Sequence, residues 1–290
     1  MSLPSSVSRS GFAVLVLGLA ALFVPTYMTL AEEVWTTDAH GHGPMILAVC
    51  LWLLWMDRHK IFAGEARPAY GLGMTGLILG LLVHVAGHSQ SINMLTTLAQ
   101  PIVFGSCLLL LHGTSALRRA WFPLFFMLFM VPLPEVVVGV ITMPLKHAVS
   151  VVTEHLLFAL GYPIGRSGVM LTIGPYQLLV ADACSGMNSL LTLESLGLLY
   201  MRMMNYTSRY RNIFLALAII PTSFAANVTR VIILVLVTYY YGDQVGQGFV
   251  HSFSGLVLFS VSLVSIYFID RVYGLLFDRK RTTGQGEVTQ

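Results

Sequence analysis

The apolar residues of this chain run in stretches too long and too unbroken for helices that lie on a soluble core. Bounded by clusters of charge, the runs cover 11–31, 44–56, 69–87, 93–113, 120–138, 184–201, 212–238 and 251–270. An α-helix needs roughly 20 consecutive apolar residues to cross a bilayer, so about eight transmembrane helices are expected, the second of them short. The stretch 139–183 breaks the pattern. It carries Lys146, His147, Glu154, His155 and Arg166, with breaks at Gly161-Tyr162-Pro163 and Gly174-Pro175. Charges are costly in lipid, so 139–160 reads as an interfacial or re-entrant helix. Alternating residues within 165–181, around Gly174-Pro175, read as a small β-hairpin. The expected fold is an all-α polytopic membrane protein, one transmembrane domain over 1–290, with this insert between spans five and six.

Composition agrees. The chain is 56% hydrophobic and 10% charged, and its mean hydropathy is +0.77. Soluble domains carry roughly 25% charged residues, so the bilayer has to serve as solvent. The net charge of +3 says nothing about nucleic acid, and no nucleic-acid partner is expected; where the charges sit matters more. Arg9, then Arg58, Lys60 and Arg67, then Arg118 and Arg119 fall in one set of alternating segments. Arg202, Arg209 and Arg211, and finally Arg271, Arg279, Lys280 and Arg281, continue that set. The opposite set holds Lys146 and Arg166 and most of the acidic residues between spans. Basic residues stay on the cytoplasmic side, so both termini are expected there, in an inner membrane, with 32–43, 88–92, 139–183 and 239–250 outside. The first apolar run is long for a cleaved signal peptide and reads as an uncleaved span.

Within this frame three residues carry chemistry. Cys184, in Ala181-Asp182-Ala183-Cys184-Ser185-Gly186, leaves the outer segment for the sixth span. There the positive end of the helix dipole favours a thiolate, and free N–H groups could hold an oxyanion. An inert buried thiol is the competing reading, and it suits Cys50 and Cys107. Three cysteines with no CxxC spacing suggest neither a disulfide framework nor zinc. Arg230 lies inside the seventh span, where a charge costs about 2.5–3.5 kcal/mol or more and faces a bundle interior. Asn227 shares its face; the alternative is snorkelling toward Tyr239, Tyr240 and Tyr241. His251 opens the eighth span and can move protons near neutral pH, although a lone histidine there is more often an interface residue. Thiol, guanidinium and imidazole together make a nucleophile, an oxyanion-stabilising cation and a general base or acid. Ser185, Gly186, Asn188, Asn227, Arg166 and His42 are the supporting or substrate-binding candidates. His40 and His42 could join His251 at a metal, but no carboxylate or cysteine spacing supports one, and no cofactor is expected. Glu194, His84 and His88 are further polar groups at membrane depth.

At these residues the sequence resembles the exosortase/archaeosortase family of membrane transpeptidases. The likeness runs from Trp35 and His40-Gly41-His42-Gly43-Pro44 to His251 and is most specific at Ala183-Cys184-Ser185-Gly186 with Ser189, at Pro221 and Asn227-Val228-Thr229-Arg230, and at His251. Pro132-Leu133-Pro134, Gly161-Tyr162-Pro163 and Arg166-Ser167-Gly168 agree more weakly. The resemblance implies a cysteine enzyme acting on membrane-anchored exported proteins through a C-terminal Pro-Glu-Pro motif, an apolar helix and a basic tail. It assigns Cys184 as nucleophile, Arg230 as active-site arginine and His251 as third member, facing the periplasm. A histidine rather than an arginine at the third position favours the bacterial branch. Two other classes remain: a transporter with a helix broken at Pro221 and an anion held by Arg230, and a non-catalytic assembly factor for surface polysaccharide export.

Overall fold

The structure is a computed structural model that describes residues 9–37, 40–180, 187–204 and 208–275; at 9, 12, 135, 141, 187–193, 209 and 247–259 it describes the backbone alone. The chain divides into two compact units, Met1–Glu135 and Val136–Gln290.

In the first unit α1 (Arg9–Thr29) runs on into a π-helical turn (Leu30–Val34) and is followed by α2 (Gly43–Ile61), α3 (Tyr70–Ser89) and α4 (Asn93–Leu111). Pro44 stands in the first turn of α2, where its missing N–H costs nothing. Arg58, His59 and Lys60 occupy its last turn, at the negative end of the dipole. Arg119 then donates to the carbonyls of Lys60 and Ala63, closing a helix end that would otherwise leave acceptors bare.

Helices α3 and α4 form the tightest antiparallel pair of this unit. A Cβ at Gly73 would meet Leu110 at 2.7 Å, one at Gly80 would meet Val103 at 2.8 Å, and one at Gly87 would meet the Thr96 nitrogen at 2.7 Å. Lipid gives no hydrophobic drive between helices, so close contact along small residues has to supply the attraction. Phe23 of α1 packs on the pair, edge-on to His84 and stacked on Phe104.

The expected fifth span, 120–138, is not one helix. Helices α5 (Thr114–Arg119) and α6 (Trp121–Phe126) and a 3-10 turn (Met127–Met130) are followed by a break at 131–134. Pro132 and Pro134 cause it: each lacks a donor and pushes its predecessor out of the helical region, and Val131 is extended at φ −69°, ψ 118°. Hydropathy does not register the break, because both prolines stand inside an apolar run.

In the second unit α7 (Glu135–Ala159) leads into a three-stranded antiparallel sheet: β1 (Ile164–Ser167), β2 (Met170–Ile173) and β3 (Tyr176–Leu179), in that order. Gly174-Pro175 turns β2 into β3, as the sequence suggests, but β1 adds a third strand, with Ile164 opposite Ile173 and Ser167 opposite Met170. The expected hairpin is thus a meander. Its inner face, Leu171, Ile173 and Leu178, packs with Val149 and Leu157 of α7 and with Val228, Val231, Leu234 and Val235 of the long helix that follows.

That helix is α9 (Arg209–Tyr241), between α8 (Met187–Met204) and α10 (Asp243–Tyr273). Pro221 lies inside α9 without ending it. The expected outer segment 239–250 is absent as a loop: Gly242 alone, at φ +87°, joins α9 to α10. That backbone is open to glycine and strained for other residues. Asp243, in the first turn of α10, suits the dipole there. At the far end of the same hairpin the Arg211 Nη2 and Nε donate to Asp270 Oδ1 at 2.8 and 2.9 Å, and the Tyr200 hydroxyl donates to Oδ2 at 3.0 Å. One carboxylate therefore ties α8, α9 and α10 together.

Among the described residues four helical segments are long and apolar enough to cross a membrane: Ala13–Val34, Tyr70–Ser89, Asn93–Leu111 and Tyr210–Tyr241. The chain is a multi-pass membrane protein.

Two stability tests follow from these contacts. Gly80→Leu should lower the unfolding midpoint in detergent by the equivalent of about 1–3 kcal/mol through overpacking; Gly18→Leu, whose Cβ meets nothing within 4 Å, should leave it unmoved. Asp270→Ala should cost about 3–5 kcal/mol by stranding a buried guanidinium, whereas the apolar double variant Arg211→Met with Asp270→Leu should recover much of that loss.

Candidate active site

Helices α8, α9 and α10 pack against one another, and three close contacts fix their register. A Cβ at Gly197 of α8 would meet Ile219 of α9 at 2.7 Å. From that crossing the two helices run antiparallel. Eleven residues on along α9 stands Arg230, and ten residues back along α8 stands Met187, its first residue. Arg230 therefore sits at the height of the N-terminal mouth of α8. Between α9 and α10 the register comes from Gly246, whose Cβ would run into the Thr238 side chain, and from Ala226, which packs on Val261. Those contacts place the backbone of His251 opposite residues 233–236 of α9, roughly 5–9 Å along the axis from Arg230 at about 1.5 Å per residue. His251 is thus in the third turn of α10 rather than at its start, because α10 begins at Asp243.

Arg230 itself is buried, 9% exposed, in the interior of the second unit. It is inward-facing, as a charge at this depth requires, and does not snorkel to the tyrosines at the end of α9. Its face of α9 is polar over two turns: Ser223, Asn227 and Arg230, spaced four and three residues apart, are all buried. Ser262 on α10 is buried as well, and Ala226–Val261 places it at their level. Neither serine was singled out in the sequence, since a single hydroxyl in an apolar run carries little signal; the four-residue step from Ser223 to Asn227 was the available clue.

The other candidates divide. Cys184, Ser185 and Gly186 lie outside the described residues, as do the side chains of Asn188 and His251. Arg166, on β1, is engaged: its Nε donates to Glu154 Oε2 at 2.9 Å, and its Nη1 donates to the Gly168 carbonyl at 3.0 Å and lies 3.4 Å from His147 Nε2. This cluster pins the first turn of the sheet to α7. His42 belongs to the first unit, where its Nε2–H donates to the Phe129 carbonyl at 3.3 Å. Burial holds its pKa below the ordinary 6.5, outweighing the upward pull of that carbonyl, so the ring is neutral at pH 7. Its contact stitches α2 to the 3-10 turn. Among the described residues no group of three or more histidine, cysteine or acidic side chains is placed to hold a metal.

Compared with known families, residues 34–268 match the family model described as transmembrane exosortase. No curated protein matches the chain, and no solved structure does.

The register is open to direct test. Cysteine pairs at 197 with 219, and at 238 with 246, should cross-link on mild oxidation in membranes, in a background lacking the native cysteines. A pair at 230 with 204 should not, and cross-linking there would displace Arg230 from the mouth of α8.

Proposed function

The chain belongs to the transmembrane exosortase family, and from that membership and the packing of α8, α9 and α10 we propose that it is a membrane-embedded cysteine peptidase or transpeptidase. Its substrates are exported, membrane-anchored proteins with a C-terminal sorting signal: a Pro-Glu-Pro motif, an apolar helix and a basic tail. The observation that carries this reading is the position of Arg230. It is a buried cation at the height where α8 begins, and the Ala183-Cys184-Ser185-Gly186 segment runs directly into that helix. The alternation of basic and acidic segments supports an inner-membrane orientation with both termini cytoplasmic and the site facing the periplasm.

The reaction follows from the three groups. The Cys184 thiolate attacks the scissile carbonyl, forming a C–S bond and a tetrahedral oxyanion. Arg230 and N–H groups at the helix mouth balance that charge, acting most strongly where water is excluded. The C–N bond breaks as His251 gives its proton to the departing amine. The thioester is then resolved by an amine, a hydroxyl or water, which gives its proton back to His251 and takes the acyl group as the C–S bond breaks and the thiolate returns. The transporter reading weakens at the helix it relied on: it expects a break at Pro221, and α9 is continuous there.

Co-expression with a tagged Pro-Glu-Pro sorting-signal substrate tests the proposal through a mobility shift. Cys184→Ala and Cys184→Ser should insert normally and leave the substrate uncleaved. Arg230→Ala should slow processing by about 10²–10³-fold, the usual loss for one oxyanion donor. Normal cleavage by the cysteine variants would exclude the nucleophile and favour the assembly-factor class.

A further inference from the structure

Asn227 lies three residues before Arg230 on the buried polar face of α9 and is 2% exposed. Its Nδ2 donates to the Ser223 carbonyl at 3.2 Å. A carbonyl only accepts, so the amide has one permitted orientation, and Oδ1 points away from the ladder of its own helix. That oxygen is shielded from solvent and has no hydrogen-bond partner among the described residues. On α10, Ser262 Oγ, in a residue 1% exposed, is likewise shielded and has no partner among the described residues. The Ala226–Val261 contact sets the two at one height, about one helical turn from Arg230. Buried polar atoms are almost always paired, and a bare one weakens the fold. Two together, beside a buried arginine, amount to an acceptor and a donor that no described residue satisfies.

An extended peptide fits that description. Along one edge of a strand, a single residue presents its N–H and its C=O in the same direction, which is what an amide oxygen and a hydroxyl can receive. We propose that Asn227 Oδ1 accepts a backbone N–H of the substrate next to the scissile bond, while the Ser262 hydroxyl donates to the carbonyl of the same residue. The pair holds the chain extended and sets the depth at which the reacting carbonyl meets Arg230. Asn227 is then a substrate-binding residue retained at a cost to stability, as functional sites commonly are. This role rests on the peptidase reading above.

Asn227→Leu separates function from structure. It replaces a buried acceptor that has no partner among the described residues by an apolar side chain of similar size, so the full-length protein in detergent should melt at the same temperature or higher. Cleavage of a synthetic peptide carrying the Pro-Glu-Pro motif, apolar helix and basic tail should fall about tenfold in kcat/KM, the worth of one hydrogen bond. A series of peptides with single ester-for-amide replacements should contain one position where wild type loses the same tenfold and Asn227→Leu loses nothing further. Ser262→Ala should remain sensitive to that ester. A lower melting temperature in Asn227→Leu, or no ester position coupled to it, overturns the role while leaving the nucleophile intact. Failure of the wild-type protein to cleave the peptide removes the peptidase reading itself, and this role with it.

Discussion

Helices in lipid hold together only where their backbones come close, and in this protein the approach is made at glycine. Between α3 and α4 the contact runs along Gly73, Gly80 and Gly87; between α8 and α9 it is Gly197, and between α9 and α10 it is Gly246. Without a hydrophobic gradient between lipid and side chain, van der Waals contact and internal hydrogen bonds must supply the attraction. A Cβ in these places would collide with a neighbouring helix, so each crossing tolerates little sliding. Register is therefore fixed by packing, and the heights of Arg230 and His251 follow from it rather than from the ends of the apolar runs.

The polar groups of the second unit are arranged around that fixed register. At one end of the α9–α10 hairpin the Arg211–Asp270 pair, with the Tyr200 hydroxyl, draws three helices together. Toward the other end, Thr238 is buried against Gly246. Between them lie Ser223, Asn227, Arg230 and Ser262. A soluble protein would cover such a stripe with water or carboxylates; a bilayer offers neither, so burial inside the bundle is what keeps it tolerable. The sheet supports the helix from the flank. Its apolar face packs on Val228, Val231 and Val235, about a quarter-turn or more around α9 from the polar stripe.

Much of this was legible in the chain. The apolar runs locate α3, α4 and α9 to within a few residues, and α2 is longer than its apolar run because the helix continues through Asp57, Arg58 and Lys60. Those charges sit in its last turns, with Asp57 buried and paired to Lys60 at 3.3 Å. The turn at Gly174-Pro175 was visible as well, whereas β1 was hidden because Ile164-Gly165-Arg166-Ser167 lacks alternation. Two features escaped for a shared reason. Prolines at 132 and 134 break an apolar run that hydropathy reads as continuous, and Gly242 makes a sharp reversal where hydropathy reads a polar loop. In both, backbone geometry overrode composition. The height of Arg230 was not legible in the sequence; it follows from the Gly197–Ile219 crossing, which sets Arg230 level with the start of α8.

A one-residue connection between two helices of more than thirty residues has a mechanical consequence. Gly242 leaves no slack, so α9 and α10 cannot shear past each other without pulling that backbone out of shape or parting the crossing at Gly246. The hairpin behaves as a single stiff pillar. Whatever motion admits a bulky partner to its polar face must be made by the elements leaning against the pillar, and swapping Gly242 for a longer flexible linker would loosen the pillar itself before it altered anything at the polar face.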